Sequence, residues 1–98
     1  MNKYLNHFLS LKCSSDVLEV VNPLGNKAAK EITESMAVIK HIKRIAIAEK
    51  HKYGLLDLCA GNALTSVLAV HLLPIKGAIA VDKRVRNRKW DMVKRFKY

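Results

Sequence analysis

Cysteine is nearly absent from this chain of 98 residues, at Cys13 and Cys59 only. The two stand far apart in no Cys-x-x-Cys or metal-ligand spacing, so neither a disulfide framework nor a metal site is expected, and a reducing compartment is the simplest inference. The 2 prolines and 4 glycines are scattered, and no linker, low-complexity tract or internal repeat stands out. Long apolar runs are lacking too. The longest, Ala63 to Leu73, is interrupted by Thr65, Ser66 and His71 and is well short of the roughly 20 residues that span a bilayer. The N-terminal rhythm of Tyr4, Leu5, Phe8 and Leu9 is broken by Asn, His and Lys, unlike a signal peptide. A soluble cytoplasmic protein with no membrane partner is the expectation.

Acidic residues are also scarce: 8 Asp and Glu face 18 Lys and Arg, for a formal charge of +10. The excess is concentrated at one end, because residues 83–98 carry eight Lys or Arg against the single Asp91. A basic segment of this kind neutralises phosphates and releases their counterions, which makes a polyanion such as RNA a candidate partner. The alternative is a solvated helix face. Half of the residues are apolar, enough for a modest core, but the length is too small for a complete doubly wound α/β enzyme.

Tyr4, Leu5, Phe8, Leu9 and Leu11 fall at helical spacings, predicting a short amphipathic helix closed by the polar stretch from Lys12 to Asp16, with Asp16 capping a further short turn through Val21. Asn22-Pro23-Leu24-Gly25-Asn26 predicts a turn. From Asn26 to Lys52 the positions Ala29, Ile32, Met36, Ile39, Ile42 and Ala46 recur in steps of three and four, predicting the longest helix, with Asn26 as N-cap and Gly54 as the C-terminal stop.

Leu55-Leu56-Asp57-Leu58-Cys59 is too short for a helix and runs into a small-residue turn, so it reads as a buried parallel strand. Ala63 to Leu73 then reads as a helix buried on most sides, ended by Pro74 and Gly77. Ala78-Ile79-Ala80-Val81-Asp82 repeats the first strand's grammar, and the three pieces make a βαβ unit. Beyond a basic loop, Asn87 to Tyr98 is expected to be a helix with Trp90, Val93 and Phe96 or Lys97 on one side.

A strand carrying Asp57, a small-residue loop opening a helix, and a second carboxylate closing the next strand have a common chemical use. Small residues let the backbone approach a ligand, and the N–H groups at the helix start offer donors. Asp82 follows Gly61 by about 20 residues, the spacing at which a carboxylate meets the hydroxyls of a bound ribose.

These residues resemble a known family. Leu56-Asp57-Leu58-Cys59-Ala60-Gly61-Asn62-Ala63 is similar to the first motif of class I S-adenosylmethionine-dependent methyltransferases, and Ala80-Val81-Asp82-Lys83-Arg84 to the end of their second strand. The Asp-Leu-Cys-Ala form of the loop is similar to that of several RNA-modifying members. The resemblance implies an α/β fold, with a helical N-terminal extension over residues 1–53 and the first, incomplete part of a Rossmann-like cofactor-binding domain over residues 54–98. It also implies S-adenosyl-L-methionine as cofactor. Asp57 would help hold its amino-acid end, directly or through water, and Cys59, Ala60, Gly61 and Asn62 would admit it. Asp82, with Lys83 beside it, would bind the ribose hydroxyls.

The family often has glycine where Cys59 and Ala63 stand here, and the scarcity of glycine weighs against a nicotinamide dinucleotide, whose pyrophosphate needs three. The resemblance ends after two expected strands, before any adenine-binding or catalytic motif, so no catalytic residue is assigned. A truncated gene product, an expressed fragment, or one part of a split protein is expected, with a complementing chain or a second copy covering the exposed sheet edge.

Structural readings compete with each assignment. Asp57 can cap the following helix; Cys59 is better explained by packing than by nucleophilic chemistry; and His7, His41, His51 and His71 have no ligand-like neighbours. Arg84, Arg86, Arg88, Lys89, Lys94 and Arg95, interleaved with Trp90, Phe96 and Tyr98, suit RNA phosphates and bases, although Trp90, Val93 and Phe96 at helical spacing suit core packing. Two functions of different class follow: a methyltransferase-like fragment whose intact relatives act on RNA, or a non-enzymatic basic nucleic-acid-binding module.

Overall fold

The computed structural model describes residues 2–21, 27–58, 60–61, 63–82 and 93–97. Its elements are α1 (Lys3–Ser10), α2 (Ser14–Val21), α3 (Ala28–Ala48), β1 (Leu55–Leu58), α4 (Leu64–Leu72), β2 (Ala78–Val81) and β3 (Phe96–Lys97). The three strands form one parallel sheet in the order β1-β2-β3.

Helix α1 begins at Asn2, whose side-chain oxygen accepts from the N–H groups of Tyr4 and Leu5 at 3.1 Å each. Its amide nitrogen donates to the Thr33 hydroxyl at 2.6 Å. One side chain thus supplies the cap that a helix start lacks and ties α1 to α3. Phe8 is the residue α1 buries completely, whereas Leu9 points to solvent. The next helix is longer than the expected turn, and Asp16 lies inside its first turn, where a negative charge suits the helix dipole, not at a capping position.

The long helix α3 buries Ile32, Ser35, Met36, Ile39 and Ala46, close to the predicted stripe. It stops earlier than predicted. Its C-cap is Glu49, and the chain turns at His51, which has φ 61°, so Gly54 is not the stop signal. Lys52 anchors this turn by an ion pair to Glu49 at 2.9 Å. The predicted N-cap Asn26 and the whole turn from Asn22 lie outside the described residues; Lys27 occupies the N-cap position.

Helix α4 packs on all three strands, on α2 and on α3. A helix covered from several directions must be apolar around most of its circumference, and Leu64, Val67, Leu68, Ala69 and Val70 are all buried in it. Beyond it α3 carries α1, so the layers run sheet, α4, α3, α1. A single apolar core extends from Phe8 and Val17 through Met36 and Leu68 to Val93, joining the N-terminal helices to the βαβ unit.

Two strand expectations need correction. β1 is not buried on both faces: Leu55 and Asp57 face α4, whereas Leu56 and Leu58 are 61% and 66% exposed. Ile79 and Val81 of β2 are exposed on the same side, and no described element covers it. The chain also does not end in a helix over its described last residues. Val93 to Arg95 form a turn, and Phe96–Lys97 pair with Ala78 and Ile79 as a third strand. Helical spacing of Val93 and Phe96 lost to strand pairing because the edge of β2 offered unpaired backbone groups to a parallel neighbour. Residues 87–92 of the predicted helix lie outside the described residues.

Arg95 locks this last strand in place. Its φ is 63°, its carbonyl accepts from Ala78 N at 2.7 Å, and its guanidinium donates to the carbonyls of Ile75 and Val70 at 2.7 and 2.6 Å. Val70 lies in the last turn of α4, where carbonyls lack helical partners and a cation is favoured. Gly77 is required for this close approach: a Cβ there would stand 2.6 Å from the Arg95 carbonyl oxygen. Gly77→Ala is therefore expected to lower stability by about 1–3 kcal/mol, as overpacking does. At Gly54 the nearest atom would be 3.5 Å away, so Gly54→Ala should leave stability unchanged or raise it by up to about 1 kcal/mol. Urea midpoints at constant m check both.

Candidate functional site

Because β1 and β2 are parallel with Asp57 opposite Ala80 and Leu58 opposite Val81, their C-terminal ends open at the same edge of the sheet. In open α/β sheets this is the edge at which ligands bind. The loop from β1 into α4 is shaped by backbone bonds. Ala60 N donates to Val81 O, and Ala63 N to Ala60 O, each at 2.9 Å. Gly61 and Ala63 both take the left-handed conformation, with φ 60° and 65°. For Gly61 this carries no penalty; for Ala63 it costs on the order of 1 kcal/mol, sustained by its complete burial.

Asp82 follows β2 directly, and its Oδ2 accepts from the Gly61 N–H at 2.7 Å. The two residues that the sequence spacing pairs across 21 positions are thus in hydrogen-bond contact. A carboxylate bound by a backbone donor is held in one orientation, and charge assistance makes the bond strong. Among the described residues, a Cβ built on Gly61 itself would meet no atom within 4 Å.

Asp57 faces the other way. Its side chain lies on the helix-covered side of the sheet, and its Oδ2 accepts from the Ser66 hydroxyl at 2.7 Å. Ser66 has no solvent exposure, so this bond satisfies a buried hydroxyl and clamps β1 to the first turn of α4. One residue earlier on the helix, the Thr65 hydroxyl pairs with Ser35 of α3 at 2.8 Å. In the sequence Thr65 and Ser66 stand only as interruptions of an apolar run. Their signal was the placing of two hydroxyls just after the loop of a helix with no other reason to be polar.

Of the predicted cofactor residues, Ala60, Gly61 and Asp82 come together at the strand ends and Asp57 stands behind them. Cys59, Asn62 and Lys83 lie outside the described residues. So do Arg84, Arg86, Arg88 and Lys89 of the predicted nucleic-acid set, whereas Lys94 is exposed and Arg95 spends its guanidinium on the two carbonyls named above. His7, His41, His51 and His71 are all exposed. Cys13 packs against the core, and burial pushes its thiol pKa up, disfavouring the thiolate. Among the described residues no group of three or more His, Cys, Asp or Glu side chains could hold a metal ion, and no helix is long and apolar enough to cross a membrane.

Comparison of the chain with family models, curated proteins and solved structures found no match.

The clamp behind the loop makes a specific demand on stability. Asp57→Ala leaves the Ser66 hydroxyl buried without its acceptor and is expected to cost about 1–3 kcal/mol. Ser66→Ala alone should cost about as much. The double variant should be no worse than either single one, and a coupling of about 1 kcal/mol or more in a double-mutant cycle by chemical denaturation is the check.

Proposed function

We propose that residues 54–82 form the ribose-binding end of an S-adenosylmethionine site, and that the chain is part of a class I, Rossmann-like methyltransferase. The observation that carries this reading is the bond between the Gly61 N–H and the Asp82 carboxylate at the ends of two adjacent parallel strands. Strand order supports it, because three parallel strands stepping in one direction from β1 match one half of a doubly wound sheet.

The residues present fit the nucleoside end of such a group. Asp82 is held in one orientation by the Gly61 N–H, and a carboxylate so placed can accept from vicinal hydroxyls. Ala60 and Gly61 are small enough to admit the amino-acid end, while their N–H groups are already given to Val81 O and Asp82. Asp57 acts through its clamp on Ser66, holding the strand and helix whose junction is the loop; Cys59, Asn62 and Lys83 complete the sequence motif. When bound, the cofactor would supply a sulfonium-activated methyl group. The chain's own contribution is to bind and orient, and no residue is assigned to activate an acceptor. RNA is the proposed acceptor, on the charge of residues 83–98 alone.

Calorimetric titration of the whole chain with S-adenosylhomocysteine tests the reading. One-site saturable binding is expected, weakened at least about 100-fold by Asp82→Ala, the loss of two charge-assisted hydrogen bonds. A folded parent protein that takes up no ligand would overturn it. Steeply salt-dependent RNA binding by that same protein would favour a basic nucleic-acid-binding module instead.

A further inference from the structure

A second concavity lies at the opposite end of α4. It has a volume of about 440 Å³ and is walled by α1, α3 and the last residues of α4, including Leu72 and Leu73. Helix α4 begins at the Gly61 loop and runs nine residues, or about 13 Å at 1.5 Å per residue. The two places are therefore separated by the length of that helix.

The floor is apolar and belongs to the core: Met36, Ile39 and Leu73 are each no more than 5% exposed. The rim is cationic. Lys3 stands on α1, and Lys40 and Lys43 on α3 one turn apart, and no lining residue is acidic. Between floor and rim lies the Tyr4 ring, with the ammonium of Lys3 5.4 Å and that of Lys40 5.8 Å from its centroid. Two cations thus converge on one aromatic ring at the mouth of an apolar pocket. Among the described residues no carboxylate forms a salt bridge with Lys3, Lys40 or Lys43.

We propose that this pocket binds an amphipathic carboxylate, its hydrocarbon body on the Met36–Ile39–Leu73 floor and its anionic head among Lys3, Lys40 and Lys43. The volume falls in the range of small-molecule sites, roughly 300–1,000 Å³. Apolar lining selects a body that water disfavours. Like charges gathered without counter-charge select the head, because an anion there relieves their repulsion and gains charge-assisted hydrogen bonds. The proposal stands apart from the cofactor reading and shares no residue with it.

Titration of the whole chain with decanoate below its aggregation concentration tests it, with decanol and acetate as controls for head and body. Saturable one-site binding of decanoate is expected, with decanol and acetate each at least about tenfold weaker, the loss of one charge-assisted bond or of the buried body. The double variant Lys40→Met, Lys43→Met changes two exposed residues and should weaken decanoate by a similar factor without altering the urea midpoint. Leu72→Trp, which fills the mouth, should abolish binding, and Asp82→Ala should leave it unchanged. Absence of saturable decanoate binding, equal affinity for decanol or acetate, or indifference to the lysine replacement would each overturn the proposal. Loss on Asp82→Ala would place the ligand at the strand ends and overturn it as well.

Discussion

Burial of α4 on nearly every side is the constraint that organises this chain. The helix lies against the sheet on one side and α3 on the other, and Leu68 and Val67 have no exposure at all. Fully burying residues of this kind contributes about 1.5–3 kcal/mol each. That contribution requires both layers to be present: without α3 and α1 the outer side of α4 would face water, and without the strands the inner side would. The N-terminal helices and the βαβ unit are therefore held by one core.

The polar bonds at the start of α4 exploit that rigidity. Ser35 meets Thr65, Ser66 meets Asp57, and the loop that enters the helix places Gly61 against Asp82. α3 and β1 are thus tied to the first turn of α4, and the end of β2 to the loop that enters it. A bond between two loop groups at the surface would contribute little alone. Here both partners flank strands whose pairing is already set, so the carboxylate is held in one orientation.

The sheet is covered on one side only among the described residues. Leu56, Leu58, Ile79 and Val81 form an apolar surface opposite α4, whereas a parallel sheet ordinarily has helices on both faces. This arrangement explains why β1 read as a buried strand: its sequence is apolar on both faces, Asp57 excepted, and periodicity cannot tell a face that is covered from one that is open. The same limitation applies at the chain's end, where Val93 and Phe96 suit a helix by spacing and become a turn and a strand through pairing with β2.

Local pattern by itself determined α1, α3 and α4, the two strands with their acidic residues, the small-residue loop and the 21-residue interval between Gly61 and Asp82, because each follows from neighbours along the chain: apolar period, turn chemistry and spacing. Tertiary structure decided what depends on groups distant in sequence. It turned Arg95 inward onto the carbonyls of Val70 and Ile75. It made Ser66 the partner of Asp57, brought Asn2 against Thr33, and gathered Lys3, Lys40 and Tyr4 around one pocket. In each case a donor or charge was satisfied by whichever partner the packing of apolar faces brought near, and a partner chosen by packing leaves no periodic trace in the sequence.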